Sequence, residues 1–392
     1  MRIAKPLIPA IALAGAAALA LAGCSSPTQT ATGDDTPYQV GIITSQTGAL
    51  ASYGAQYLAG FDAGLAYATN GTGKVGNHPI EVTKADDAGD PQKATSAATD
   101  LIGKGVKILA GSAASAIGLA LAPVAEQNKV LFISGPAATD AITGANRYTF
   151  RSGRQSFQDV LVAKSFLGDP AGKKIVVFAQ DSAFGQANVA AVQAVASGAT
   201  VVPELVDPNA QEFSTFAKEV LDDKPDLVFV AWAGTTAAAM WQALDQQGVL
   251  AATTVVTGLA DRVTWPALGA VGTKISFLAH YFDGASDTPA SQALKTALGA
   301  PIDLFNPDGF TAAQMIVHAL QASGTDVDAQ ISALEGWTFD SVKGSYQIRA
   351  SDHALIQPMY QAKLTADGSV YTATLLKAVP GDQVAPPETP FK

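Results

Sequence analysis

The chain has 392 residues, 48% of them hydrophobic and 15% charged, with a formal net charge of −10. An acidic surface repels polyanions, which argues against nucleic acid or an anionic membrane surface as partner. One cysteine in the whole chain excludes an intramolecular disulfide, so the folded part must be stable through its core alone.

The N-terminus has the three parts of a secretory signal: Arg2 and Lys5, an apolar stretch over residues 7–22, and small residues before Cys24. That stretch is too short and too rich in alanine for a comfortable membrane span. The string Leu21-Ala22-Gly23-Cys24, followed by Ser25-Ser26, predicts cleavage before the unique cysteine and lipidation of Cys24. Acyl chains there would hold the protein on the outer face of a membrane. The alternatives are an unlipidated signal peptide and a cysteine that is merely a small core residue. Without residues 1–23 the chain keeps 22 basic and 34 acidic side chains, a net charge of −12. Residues 24–37 have almost nothing to bury and read as a flexible tether. Roughly 350 residues follow, more than one core usually serves, so two lobes are expected. No internal repeat and no second apolar run of membrane-spanning length is visible in the sequence.

From Tyr38 onward, short β-branched runs alternate with Ala-rich helical stretches, the pattern of parallel strands joined by helical crossovers. The first strand covers 38–44 and is followed by a helix carrying Tyr53, Tyr57, Phe61 and Leu65 at helical spacing. Strands near 80–84, 106–110 and 130–134 continue the series, and Asp90-Pro91 is an N-cap and first-turn pair for a helix reaching Lys104. After Phe150-Arg151-Ser152 the pattern restarts, with strands near 174–179, 200–205, 226–231, 253–257 and 275–279. The tail differs. It holds a helix near 309–322, then Tyr346-Gln-Ile-Arg, then a β-hairpin of 359–364 and 370–375 turning at Ala366-Asp367-Gly368, able to return to the second lobe.

Several segments, taken together and in order, resemble the type I periplasmic solute-binding proteins of ABC importers, on the branch typified by the leucine/isoleucine/valine-binding protein. They are Gly41-Ile-Ile-Thr-Ser-Gln-Thr-Gly48 with Tyr53-Gly54, Asp86-Asp87 before Asp90-Pro91, Gly111-Ser-Ala-Ala-Ser115, Ile133-Ser-Gly-Pro-Ala-Ala-Thr139, Asp181-Ser-Ala-Phe-Gly185 and Asp226-Leu-Val-Phe-Val230. The resemblance covers nearly all of residues 38–378. It implies an α/β fold of two doubly wound, Rossmann-like lobes joined by three crossings, with ligand in the cleft between them. The expected division is 38–152 plus 283–339 for the first lobe and 153–282 plus 340–380 for the second, with 381–392 as a tail. The crossings are expected near Ser152, Phe282 and Phe339. The implied function is that of an exported lipoprotein, on the outer face of the cytoplasmic membrane or in the periplasm. It would be a monomer without a cofactor, delivering a small solute to ABC permease subunits. A ligand sensor of the same fold acting on a regulatory partner is the alternative.

Ser115 and the segment Ala137-Ala138-Thr139 each follow a strand and lead into a helix, so hydroxyls and free backbone N–H groups can converge on an anion. The resemblance implies a ligand carboxylate at Ser115, Ala137 and Thr139; the competing reading is that the hydroxyls only cap helices. Tyr53 matches an aromatic that packs on ligand, or else packs along the helix with Tyr57. Trp232 ends a strand of the second lobe and is positioned to close over the ligand. The resemblance implies an acid opposite a ligand ammonium at the position of Thr257-Gly-Leu-Ala260, where this chain has none; Asp261 and Asp181 are the candidates to replace it. If neither points inward, the ligand is not expected to be an amino acid, because burying an ammonium without an anion is expensive. The segment Ile348-Arg-Ala-Ser-Asp-His353 with Gln357-Pro-Met-Tyr360 resembles a sub-branch whose ligands include aromatic or aliphatic carboxylates.

Enzymatic signatures are missing from the sequence. There is no Gly-x-Ser-x-Gly elbow, no His-Glu-x-x-His and no spaced set of Cys and His ligands, and no metal site is expected. The histidines stand apart at 78, 280, 318 and 353, and His353 reads as a surface or crossing residue rather than a base. Gly71-Thr-Gly-Lys-Val-Gly76 matches a dinucleotide-binding string but follows a helix and precedes a strand, the reverse of the required context, and reads as a turn.

Overall fold

The computed structural model describes residues 35–391. The signal segment, Cys24 and the tether through residue 34 lie outside the described residues. The first part of the chain runs β1 (Tyr38–Thr44), α1 (Ala51–Ala68), β2 (Lys74–Val75), β3 (His78–Asp86), α2 (Pro91–Gly103), β4 (Ile108–Gly111), α3 (Ser115–Asn128), β5 (Leu131–Ser134) and β6 (Thr149–Arg151). The strings that form its central strands are apolar on both faces, and β4 and β5 are accordingly buried along their whole length, as strands covered by helices on both sides must be. Asp90 caps α2 by accepting from the Gln92 and Lys93 amides, with Pro91 in the first turn. The glycine string 71–76 is the turn region between α1 and β3, and contains β2.

The second part runs α4 (Ser156–Leu167), β7 (Lys174–Gln180), α5 (Ala183–Val195), β8 (Thr200–Val206), α6 (Ser214–Asp222), β9 (Leu227–Ala231), α7 (Ala237–Gln246), α8 (Val249–Ala252), β10 (Thr254–Gly258), α9 (Trp265–Leu268) and β11 (Ser276–Ala279). Three helices follow, α10 (Pro289–Leu298), α11 (Asn306–Ser323) and α12 (Val327–Leu334), then β12 (Thr338–Ser341), β13 (Gly344–Ile348), β14 (Leu355–Ile356), β15 (Met359–Asp367) and β16 (Val370–Val379).

Two large sheets result, one ordered β2-β3-β1-β4-β5-β6 and the other β16-β15-β11-β10-β9-β7-β8. Their parallel parts share one topology, in which the strand order reverses between β1 and β4 and between β7 and β9. The carboxyl ends beside such a reversal are where doubly wound sheets bind ligands. The C-terminal hairpin joins the second sheet, β15 pairing antiparallel with β11 and β16 with β15. Its turn falls at Gly368-Ser369, overlapping the expected one at Gly368 and reaching one residue further, because β15 continues through Asp367, beyond its apolar stretch.

The lobe boundaries differ from expectation at one crossing. Strands β12, β13 and β14 form a small antiparallel sheet of their own, and Phe339, Tyr346, Ile348 and Leu355 pack into the core around β1, β4 and β5. The segment 340–356 therefore sits with the first lobe, and the third crossing lies at residues 357–358 rather than near Phe339. Apolar side chains, rather than chain order, decide which core a short strand joins. His353 is likewise buried, not a surface residue: it stacks on Phe150 at 3.6 Å and its Nδ1 lies 3.0 Å from the Thr149 carbonyl. The tail crosses back as well. Val384 packs in the second core, while Pro386 and Pro387 carbonyls accept from Arg349 and the Thr389 amide donates to Asp352.

Candidate functional site

The carboxyl edges of the two sheets face each other across a cavity of about 490 Å3. Its wall is built from the loops that follow β1, β3, β4 and β5 on one side and β7 through β11 on the other. Buried Asp87 ties the first-lobe loops together, accepting from Ser45 Oγ and Ser112 Oγ at 2.6 Å each and from the Gly89 amide at 2.9 Å. Neighboring Asp86 accepts from Thr47 Oγ and from the amides of Gln46, Thr47 and Ala88, and these bonds, led by the hydroxyl, hold its carboxyl down at about 2. The two aspartates shape the loops and do not face the ligand space.

Ser115 lines the cavity at the first turn of α3. Its hydroxyl caps no helix: the N-cap position is Ala114, which has no side-chain acceptor, and Ser115 Oγ instead accepts from the Thr139 amide at 3.2 Å. The α3 N-terminus is thus left without a side-chain cap beside the cavity, a favorable place for negative charge. Ala138 also lines the cavity, whereas Ala137 and Thr139 lie just behind that surface, both buried. Thr139 makes no side-chain cap either. Buried Arg151 fixes this loop through the carbonyls of Thr139 (2.9 Å) and Ala137 (2.6 Å).

Aromatic rings form the remaining walls. Tyr53 lines the cavity edge-on to Phe305 at 4.7 Å, while Tyr57, one turn later, is fully buried in the core. Trp232 follows β9 and reaches the cavity from the second lobe, stacked on Phe178 at 5.4 Å and steadied by Nε1 donating to Thr236 at 3.0 Å. The two candidate acids sit elsewhere. Asp181 is exposed and accepts from Gln186 at 2.8 Å. Asp261 is buried, and its carboxylate accepts from Ser52 Oγ of the first lobe at 2.5 Å.

Three ionizable residues on the cavity wall are not among the site candidates expected from the sequence: Arg154, Asp159 and His280. Arg154 and Asp159 are the only formally charged side chains lining the cavity among the described residues. Arg154 Nε lies 3.2 Å from Asp159 Oδ2, and Asp159 Oδ1 lies 3.2 Å from His280 Nε2. Burial lowers the His280 pKa to about 4; Arg154 adds to that effect, and Asp159 opposes it. Burial also works to raise the Asp159 carboxyl, but Arg154 and His280 outweigh it and hold it below the usual range. Arg154 lies in the first crossing and His280 directly after β11, so both stand at strand carboxyl ends. That position is the signal that was available. In sequence, a charge at a crossing is indistinguishable from one facing solvent.

Among the described residues no group of His, Cys, Asp and Glu is placed to hold a metal ion, and no helix is long and apolar enough to cross a membrane. The family of periplasmic binding proteins matches residues 37–369. A Leu/Ile/Val-binding protein of Rhizobium johnstonii is 26% identical over 305 residues, which span 75% of this chain and 82% of that one. A solved structure from Rhodopseudomonas palustris, described as an ABC-type branched-chain amino acid transporter, is 30% identical with a TM-score of 0.72, covering 88% of this chain and 97% of its own. A second R. palustris solute-binding protein, solved with 4-hydroxybenzoate, shares the fold with a TM-score of 0.80 at 22% identity, over 88% of this chain and 97% of its own.

Proposed function

Because the chain belongs to the periplasmic binding protein family, type I, on the leucine/isoleucine/valine-binding-protein branch, we propose that it is the substrate-binding lipoprotein of an ABC importer. It captures a small carboxylate-bearing solute, an amino acid or a related organic acid, by closing two lobes over it. The observation that carries this reading is the anion-ready corner of the cavity: Ser115 at a helix N-terminus without a side-chain cap, beside the Ala137-Ala138-Thr139 loop, opposite aromatic walls from both lobes. The compounds named for the similar R. palustris proteins, branched-chain amino acids and 4-hydroxybenzoate, are carboxylic acids, which supports the same class here. Delivery is to ABC permease subunits. Anchoring is through acyl chains on Cys24, on the strength of the Leu21-Ala22-Gly23-Cys24 string.

Mass spectrometry of small molecules released on denaturing the purified domain tests the solute class. A carboxylic acid is expected, and adding it back should raise the melting temperature. Recovery of a neutral sugar or a cation in stoichiometric amount would overturn the reading. For the anchor, Cys24→Ser should move the protein from the membrane to the soluble fraction.

A further inference from the structure

We propose that Arg154 is the specificity-determining residue of this cleft, binding the ligand carboxylate through its guanidinium and selecting acids that carry no amino group. The inference deepens the carboxylate reading above and rests on it. Arg154 is 5% exposed and lies against the anion-ready corner, Nη1 donating to the Pro136 carbonyl at 2.6 Å. Pro136 and Ala138 line the cavity with it, and the same loop continues to Thr139, whose amide reaches Ser115. The guanidinium carbon stands 5.7 Å over the ring of Phe305, another cavity residue. Its Nη2 donates to no group among the described residues. A planar guanidinium with one arm anchored and one arm open on a cavity matches a carboxylate, and such charge-assisted pairs are stronger than bonds from neutral hydroxyls.

A zwitterion needs an acid as well, and the cavity offers none that is free. Asp261 is committed to Ser52 across the cleft and Asp181 points to Gln186 on the surface. Asp159, the one acid on the wall, lies 3.2 Å from both Arg154 and His280. Behind it is buried Lys343, which donates to Gln357 at 2.7 Å. An ammonium entering this space would compete with a guanidinium for Asp159, the one carboxylate on the wall, at the full cost of desolvation. An acid with an alkyl or aromatic body meets Tyr53, Phe305 and Trp232 and carries no such cost.

The test compares acids with and without the amino group on the wild-type protein by calorimetry: leucine against 4-methylpentanoate, phenylalanine against 3-phenylpropanoate, and tyrosine against 3-(4-hydroxyphenyl)propanoate, with 4-hydroxybenzoate beside them. In any pair that binds, the acid lacking the amino group is expected to be at least about ten-fold tighter. Tighter binding of the amino acids overturns the inference and leaves the carboxylate reading standing; no binding by any member of the series overturns both. Arg154→Lys should weaken the best acid about ten-fold, because the charge survives without the fork, and Arg154→Gln about a hundred-fold. Removing the arginine alone leaves Asp159 buried without its partner, so the double variant Arg154→Gln/Asp159→Asn keeps the wall neutral. A folded double variant that binds the acid as tightly as wild type removes Arg154 from recognition.

Discussion

Ser115 shows how far one side chain's role depends on what its hydroxyl touches. A capping serine and a ligand-binding serine look alike in sequence, but here the cap position is Ala114 and the Ser115 hydroxyl turns toward the Thr139 amide at the cavity wall. If the proposed carboxylate ligand is bound here, Ser115→Ala should weaken its binding roughly ten- to hundred-fold, the worth of a hydrogen bond to a charged group, while costing about 1 kcal/mol of stability. Thr139→Val should do less, because the threonine reaches this corner with its backbone amide and not its hydroxyl. Calorimetry and melting curves on both variants check the order. His280 makes a second, pH-dependent prediction. It is held neutral in the fold, with a pKa near 4 against about 6.5 when unfolded, and is faced by Arg154, Lys343 and Asp159. Between those values the unfolded chain binds more protons, so the contribution is complete above about pH 6.5 and is lost as pH falls toward 4. Urea unfolding should show His280 removing about 2 kcal/mol of stability at about pH 5, and His280→Gln should abolish that part of the pH dependence.

At the scale of elements, the pair α1 and α11 sets the rigid platform on which the first-lobe loops stand. The two helices approach backbone to backbone, which only glycine permits. A Cβ on Gly309 would meet the Tyr57 carbonyl oxygen at 1.9 Å, and one on Gly60 would meet the Asn306 carbonyl oxygen at 1.9 Å. Neither obstacle is a flexible side-chain end that can swing aside. Gly309→Ala should cost about 3 kcal/mol or more through overpacking. Gly103→Ala, at the open end of α2 with nothing within 4 Å, should be neutral or stabilize by up to about 1 kcal/mol from helix propensity. Opposite signs for two identical substitutions in one thermal-melt series are the expected outcome.

For the whole molecule, the relation between the lobes is written in contacts that cross the cleft. Ser52 on α1 donates to Asp261 after β10, and Gln56 Nε2, also on α1, lies 3.4 Å from Asp303, which accepts from the Arg262 amide. This rim network holds the lobes together on one side of the cavity, and it accounts for why Asp261 is buried without facing the ligand space. Hinge closure is the common response of two-lobed binders, and a contact made only between closed lobes favors ligand retention. Asp261→Ala should leave the fold intact, weaken acid binding by about five- to ten-fold through faster release, and expand the ligand-bound particle in solution scattering. An unchanged off-rate would remove the rim from the closing step.

The sequence by itself determined the α/β class, two doubly wound sheets and most strand positions, because burial on both faces demands unbroken apolar, β-branched runs, and these alternate with Ala-rich helical stretches. It also made the loops around Ser115 and 137–139 legible as anion-ready turns, since strand ends and helix starts are local properties. Only the tertiary structure decided the membership of β12–β14, whose few apolar residues fit either core until packing assigned them to the first. It alone separated Tyr53 from Tyr57, turned Asp261 toward Ser52, and brought His280 to one wall with Arg154 and Asp159, more than 120 residues earlier in the chain. Local periodicity records which face of an element is buried, whereas the charge a ligand meets depends on which distant side chains neutralize one another first, and that is settled by packing.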